Sequence, residues 1–147
     1  MTERENILIS VEHRYVMRIL SGVKRVELRR RPLRVMPGTR VWIYSKAPHA
    51  IVTAVATVGA IVSATPAELW KEYEAISGMT RAEFDAYFSE ARIGWAILLK
   101  EIYALPSVIT LAALRKHSTP FHPPQFFMRL RDGNGALSLL RSGLRSR

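Results

Sequence analysis

The stretch from Ala50 to Val62 limits the fold more than any other part of the chain. It carries no charge, and Thr53 and Thr57 are its only polar side chains. A helix needs ~20 consecutive apolar residues to cross a bilayer, so this run is too short to span one. Its small and β-branched residues are apolar at even and odd positions alike. That predicts a strand covered on both faces, inside a closed barrel rather than on a sheet with a wet side. Such a strand needs neighbours. Arg40 to Ser45 (Arg-Val-Trp-Ile-Tyr-Ser) supplies one, joined through Ala47-Pro48-His49, and Ile93 to Leu105, closed by Pro106, supplies another.

The 147 residues, 48% of them hydrophobic, are enough to close one core. We expect a single domain over residues 1–132 and a basic tail over residues 133–147. In the tail, Leu137, Leu140 and Leu144 stand at helical spacing beside Arg141, Arg145 and Arg147, which suits either a docked amphipathic helix or a frayed end. The absence of cysteine excludes a disulfide framework and any thiolate metal site. It also suits a cytoplasmic location, as does the polar N-terminus, which lacks the order of a secretory signal.

Ahead of the barrel segments, Ile7 to Ser10 is a short apolar strand candidate. A helical pattern follows, with Tyr15, Val16, Ile19 and Leu20 on one face and Gly22 as its stop. From Lys24 the period becomes two: Val26 and Leu28 would face the core, and Arg25, Glu27 and Arg29 the opposite side. Pro32 to Thr39 is a turn-rich connection. Thr65-Pro66-Ala67-Glu68 and Thr80-Arg81-Ala82-Glu83 are capping boxes that open two helices, the first ended by Gly78. Their apolar stripes, Leu69, Trp70, Tyr73 and Ile76, then Phe84, Tyr87 and Phe88, read as core. Leu111 to Lys116 is a short helical turn.

Charge is unevenly spread. Residues 14–46 contain ten Lys and Arg against one acid, Glu27, whereas residues 47–106 hold four bases and seven acids. A basic block of this kind attracts polyanions through phosphate contacts, or serves as a solvated face. Glu27, alone among cations, is favoured in its ionised form, with Arg29 or Lys24 as partner; taken by themselves, these residues favour a structural ion pair. Arg29-Arg30-Arg31 is basic enough to meet phosphates, and a solvated turn fits it equally. His13, His49, His117 and His122 lack the spacing of a zinc site, so no metal is expected. There is no P-loop, dinucleotide fingerprint or Gly-x-Ser-x-Gly, so no cofactor is expected either.

The run Gly22-x-Lys24-x-x-Glu27-x-Arg29, following a helix and opening a strand, resembles the signature of ASCH domains, a branch of the PUA-like superfamily. Ile7-Leu8-Ile9-Ser10, the turn and strand Pro37-Gly38-Thr39-Arg40-Val41-Trp42-Ile43-Tyr44, and Pro123-Pro124-Gln125 extend the likeness over about residues 7–130. The resemblance implies an α+β fold, a mixed β-barrel with flanking helices, and a cleft between the first helix and the barrel that holds RNA or a nucleotide. By the same likeness Lys24 would meet a phosphate or base oxygen, Glu27 would accept from a base or orient Lys24, and Arg29 would fix the carboxylate or a phosphate bidentately. Arg30, Arg31, Lys46 and Gln125 complete the expected RNA-binding set, with Tyr44 as a stacking surface. The chain departs from the family in having Phe126 where many relatives place serine. The alternative is an RNA-directed enzyme, a ribonuclease or a small nucleoside amidohydrolase, in which Lys24 stabilises developing charge and Glu27 moves a proton. Family members that hydrolyse acetylated cytidine resemble a version with threonine at the Glu27 position, so this chain matches that activity poorly.

Overall fold

The computed structural model describes residues 4–145. Residues 1–3, on which part of the N-terminal reading rests, and Arg147 of the tail lie outside the described residues. The elements run β1 (Asn6–Val11), α1 (His13–Ser21), β2 (Val26–Arg29), β3 (Arg40–Ser45), β4 (Ile51–Ala64), α2 (Pro66–Ser77), α3 (Arg81–Tyr87), β5 (Gly94–Thr110), α4 (Leu111–His117), β6 (Phe127–Leu130) and α5 (Gly135–Arg145).

Six strands form one mixed sheet in the order β2-β5-β4-β3-β1-β6. Only β1 and β3 run parallel; the other neighbours are antiparallel. The uncharged run becomes β4, with Val52, Ala54, Val55, Ala56 and Val58 all at most 2% exposed, so both of its faces are covered. Register shifts along β4 and β5 fall at Val52/Ala54, Val55/Thr57 and Val58/Ala60. Each bulge increases the local twist, and together they curl the sheet into a half-barrel flanked by five helices. The outer strands β2 and β6 are not hydrogen-bonded to one another. The barrel therefore has a seam, which differs from the closed barrel expected of β4.

Two further differences have local causes. The strand expected to close at Pro106 continues to Thr110. Pairing with β4 passes from Ala54↔Ala104 directly to Val52↔Ile109, which leaves Pro106 in an unpaired bulge where its missing N–H costs nothing. In β2, Glu27 is buried along with Val26 and Leu28, because its face is covered by α1 and the seam rather than by water.

Both capping boxes form as the sequence predicts, with Thr65 accepting from the Glu68 N–H and Thr80 from the Glu83 N–H. The stripes of α2 and α3 pack Leu69, Phe84 and Phe88 against Val26, Leu28 and Ala96. Further along the sheet, Leu137 and Leu140 of α5 are at most 1% exposed and share a core with Trp42, Leu114 and Leu130. Arg145 lies in the last turn of α5, where a cation complements the helix dipole.

The Trp42 indole, fully buried, donates through Nε1 to Asn6 Oδ1 at 3.0 Å. Asn6→Ala leaves that N–H buried without an acceptor, and we expect a loss of about 1–3 kcal/mol in unfolding free energy. A urea titration checks this, and a change below the error of the extrapolation would show that the indole finds another partner.

Candidate functional site

Helix α1 stops at Gly22, whose φ of 89° suits glycine. The chain then turns so that the Lys24 N–H donates to Arg18 O at 3.1 Å and Lys24 bridges Ser77, the last residue of α2. Lys24 is 1% exposed. Its Nζ donates to Ser77 O at 2.7 Å, lies 3.7 Å from Glu27 Oε1, and stands 5.0 Å from the centre of the Tyr15 ring. The last carbonyls of a helix lack intrahelical partners and carry the negative end of its dipole, so the ammonium caps α2. Gly78, at φ 61°, follows; a Cβ there would lie 2.6 Å from the Lys24 Cβ, so this close approach requires glycine.

Glu27 receives its second cation from its own strand. Arg29 Nη2 donates to Glu27 Oε2 at 2.7 Å and to Ser10 O at 2.6 Å, and its guanidinium lies 4.7 Å from the centre of the Phe126 ring. One side chain thus ties β2 to β1 across the seam. Burial pushes the Glu27 carboxyl up, but Arg29 and Lys24 outweigh it and hold it below its ordinary value. Burial pulls the Lys24 ammonium down, and Glu27 opposes this only in part.

A second charge lock sits at the helical rim. Glu83 accepts from Arg14 Nη1 at 2.8 Å and from Arg18 Nη1 at 3.0 Å, which joins α1 to α3. The Thr80 N–H and then the Arg18 hydrogen bond hold its carboxyl down to about 2. Between these locks lies a cavity of about 560 Å³, lined among others by Tyr15, Lys24, Glu27, Arg29, Lys46 and Tyr87.

A second cavity, of about 400 Å³, shares Arg29, Lys46 and Tyr87 with the first and adds Arg30, Arg31, Gln125 and Phe126. A third, of about 620 Å³, shares Lys46 and Gln125 and includes Ser10 and Tyr44. Lys46, common to all three, makes them one groove along the seam. The middle cavity has four cations and no carboxylate in its lining. Arg30, Arg31 and Lys46 have no ion-pair partner among the described residues; the Arg30 guanidinium stands 4.7 Å from the centre of the Tyr87 ring, and its backbone N–H donates to the Tyr87 hydroxyl at 3.2 Å.

Backbone contacts fix the rims. The Lys46 N–H donates to Val11 O at 3.0 Å. The turn after it is braced by the His49 ring stacked on His13 at 3.6 Å, with His13 Nδ1 3.0 Å from Ser45 Oγ. Ser10 Oγ donates to Pro124 O at 2.6 Å and the Ser10 N–H to Phe126 O at 2.8 Å, which holds Gln125 beside β1.

The groove therefore gathers Lys24, Glu27, Arg29, Arg30, Arg31, Lys46 and Gln125. Lys24 and Glu27 form its buried floor, and the others its wall. Tyr44, 2% exposed, packs with Trp42 and Val52 and reaches only the third cavity. The sequence reads Tyr87 as part of a core stripe, whereas the structure leaves it half-buried in the lining of the first two cavities. Its partner Arg30 lies far away in the chain, so local spacing gave no signal for it. Among the described residues, no group of three His, Asp or Glu stands close enough to hold a metal ion, and no helix is long and apolar enough to cross a membrane.

A carboxyl whose pKa is lowered on folding stabilises the fold above its unfolded value and loses that contribution as the pH falls through its folded value. For Glu83 the window runs from the ordinary 4.5 down to about 2. We expect the urea midpoint of wild type to fall across that window more steeply than that of Glu83→Gln, which keeps the capping box. Equal slopes would show that the rim lock adds nothing.

Comparison with known proteins agrees with this geometry. The family described as a domain of unknown function, DUF365, matches residues 5–128. A curated protein of Zymomonas mobilis named ASCH domain-containing ribonuclease is 32% identical over 130 residues, covering 88% of this chain and 86% of the relative. The crystal structure of ASCH from Zymomonas mobilis superposes with a TM-score of 0.88 at 29% identity, over 95% of this chain and 96% of that one. Human THYN1, crystallised in complex with 5-methylcytosine-containing DNA, shares the fold at 9% identity and a TM-score of 0.53, over 97% of this chain and 99% of that one. With a curated ASCH relative 32% identical over most of both chains and the same fold in the ASCH crystal structure, this chain belongs to the ASCH domain family.

Proposed function

We propose that this protein binds single-stranded RNA along the seam groove, with phosphates on Arg29, Arg30, Arg31 and Lys46 and bases beside the arginine–aromatic stacks. The observation that carries this reading is the middle cavity, whose charged lining is wholly cationic. Cations without internal partners are free to exchange counterions for phosphates. Arg30 over Tyr87 and Arg29 over Phe126 set guanidinium groups against rings, surfaces on which unstacked bases pack. Gln125, exposed at the rim, both donates and accepts, as reading a base edge requires. Lys24 and Glu27 act beneath this surface. They fix the Arg29 guanidinium, and through it the width of the groove. A free nucleotide fits the same chemistry and is separated from RNA by the dependence of affinity on length.

A second reading, that the bound RNA is also cleaved, is favoured by the 32% identical relative named a ribonuclease. Attack on a phosphodiester gathers negative charge on the phosphorus oxygens. Arg29, Arg30 and Lys46 are placed to stabilise that charge. Glu27, held as a carboxylate between two cations, is a weak proton acceptor in this arrangement. In this reading it orients Arg29.

Binding of labelled single-stranded RNA across a salt series, with every sample also run on a denaturing gel, tests both readings. We expect wild-type affinity to fall steeply with salt. Arg30→Ala combined with Lys46→Ala should weaken binding roughly tenfold or more and make the salt slope shallower by about 1.4, two single-strand phosphate contacts. Fragments that appear with wild type and disappear with the double variant would establish cleavage. Affinity indifferent to salt and to both substitutions would remove the proposal.

A further inference from the structure

The basic residues do not end at the groove. Strand β1 starts at Asn6, and five steps of ~3.3 Å carry it about 17 Å to Val11 at the groove rim. At the Asn6 end, the parallel register sets Arg40 beside Asn6 and the antiparallel register sets Leu130 on its other side. A separate cavity of about 540 Å³ opens there, and its lining includes Arg4, Arg131 and Arg141. Two carboxylates in the lining are engaged, Glu5 with Arg129 at 2.7 Å and Asp132 with Arg141 at 3.0 Å. Arg4, Arg40 and Arg131 have no ion-pair partner among the described residues. Burial, followed by the like charges of Arg4 and Arg141, holds the Arg40 guanidinium below its ordinary value. Glu101 opposes this in part, and Arg141 is engaged by Asp132; Arg4 and Arg131, left without an ion pair among the described residues, are stabilised by an anion placed beside them.

The strand that leads from one site to the other is β6, an outer strand of the sheet. It begins beside Phe126, in the groove wall, and ends at Leu130, next to Arg131. Midway, the Arg129 guanidinium stands 5.5 Å from the centre of the Phe127 ring, and its Nη2 donates to Arg34 O at 2.6 Å. The basic connection between β2 and β3 is thereby drawn alongside β6. One further cation–ring pair thus lies between the groove and the distal cavity, a surface on which a single strand can pack.

We propose that RNA held in the groove continues along the β6 edge, so that phosphates beyond those in the groove enter a second site formed by Arg4, Arg40, Arg131 and Arg141. This inference rests on the RNA-binding reading of the groove and extends it to a two-site footprint. A strand short enough to occupy the groove alone gains nothing from the distal arginines. A longer one gains affinity and a steeper salt dependence from them.

The test compares single-stranded RNAs of about four and about twelve nucleotides, near the two ends of the site sizes of small single-strand-binding domains. The proteins are wild type, Arg4→Ala with Arg131→Ala, and the groove variant Arg30→Ala with Lys46→Ala. Arg4 and Arg131 are exposed, so their replacement leaves the core untouched. For the distal variant we expect roughly tenfold weaker binding of the longer RNA, a salt slope shallower by about 1.4, and unchanged binding of the shorter RNA. The groove variant should lose both. A distal variant that binds the longer RNA as wild type does, while the groove variant fails, would overturn the second site and leave the groove reading standing. Equal losses on both lengths would also overturn it. Wild type binding neither RNA would overturn the groove reading and this inference together.

Discussion

Burying a carboxylate between two cations is the constraint on which the rest of this molecule depends. Glu27 is 6% exposed, with Lys24 on one oxygen and Arg29 on the other. Removing one member of such a group leaves a buried charge without its partner and costs about 3–5 kcal/mol, so the three positions stand or fall together. Each cation also has a second task. Lys24 caps α2 through Ser77 O, and Arg29 crosses the seam to Ser10 O. The cluster therefore fixes where α2 ends, where β2 lies, and how far the half-barrel opens, without a backbone ladder across the gap.

That solution accounts for the groove. A sheet closed by strand pairing would present a continuous hydrogen-bonded wall. One closed by a single guanidinium leaves a gap beside it, with Lys46, Arg30 and Arg31 around the opening. At the helical rim, Glu83 is locked to Arg14 and Arg18. Among the described residues, Arg30, Arg31 and Lys46 in the groove have no ion-pair partner, and the same holds for Arg4 and Arg131 at the far end of β1. Arg29 belongs to both sets, paired with buried Glu27 on one side and lining the cationic cavity on the other.

Much of this was legible in the sequence. The charge-free run predicted a covered central strand because apolar residues at both parities admit little else. The two capping boxes and Gly22 marked helix ends by local chemistry that tertiary packing did not override. The Gly22-to-Arg29 signature placed the cluster in the right turn. Period-two reasoning put Glu27 on the side away from Val26 and Leu28, and it could not say that α1 and Arg29 would cover that side. It could not see the bulge that absorbs Pro106, since a bulge depends on the partner strand's register. Tyr87 and Glu83 were hidden for a related reason: their partners, Arg30 and Arg14, lie more than fifty residues away in the chain, and local spacing carries no trace of that pairing.

The central claim is that nucleic acid is held where open cations line the seam, above the buried cluster. Amide chemical-shift mapping of the isotopically labelled protein during titration with a short single-stranded RNA tests it most directly. The account predicts that the largest perturbations fall on residues 29–31, Lys46, Tyr87 and residues 125–126, with Lys24 and Glu27 shifting less because they lie beneath the surface. Perturbations that leave those amides in place and gather on another face of the sheet would contradict it.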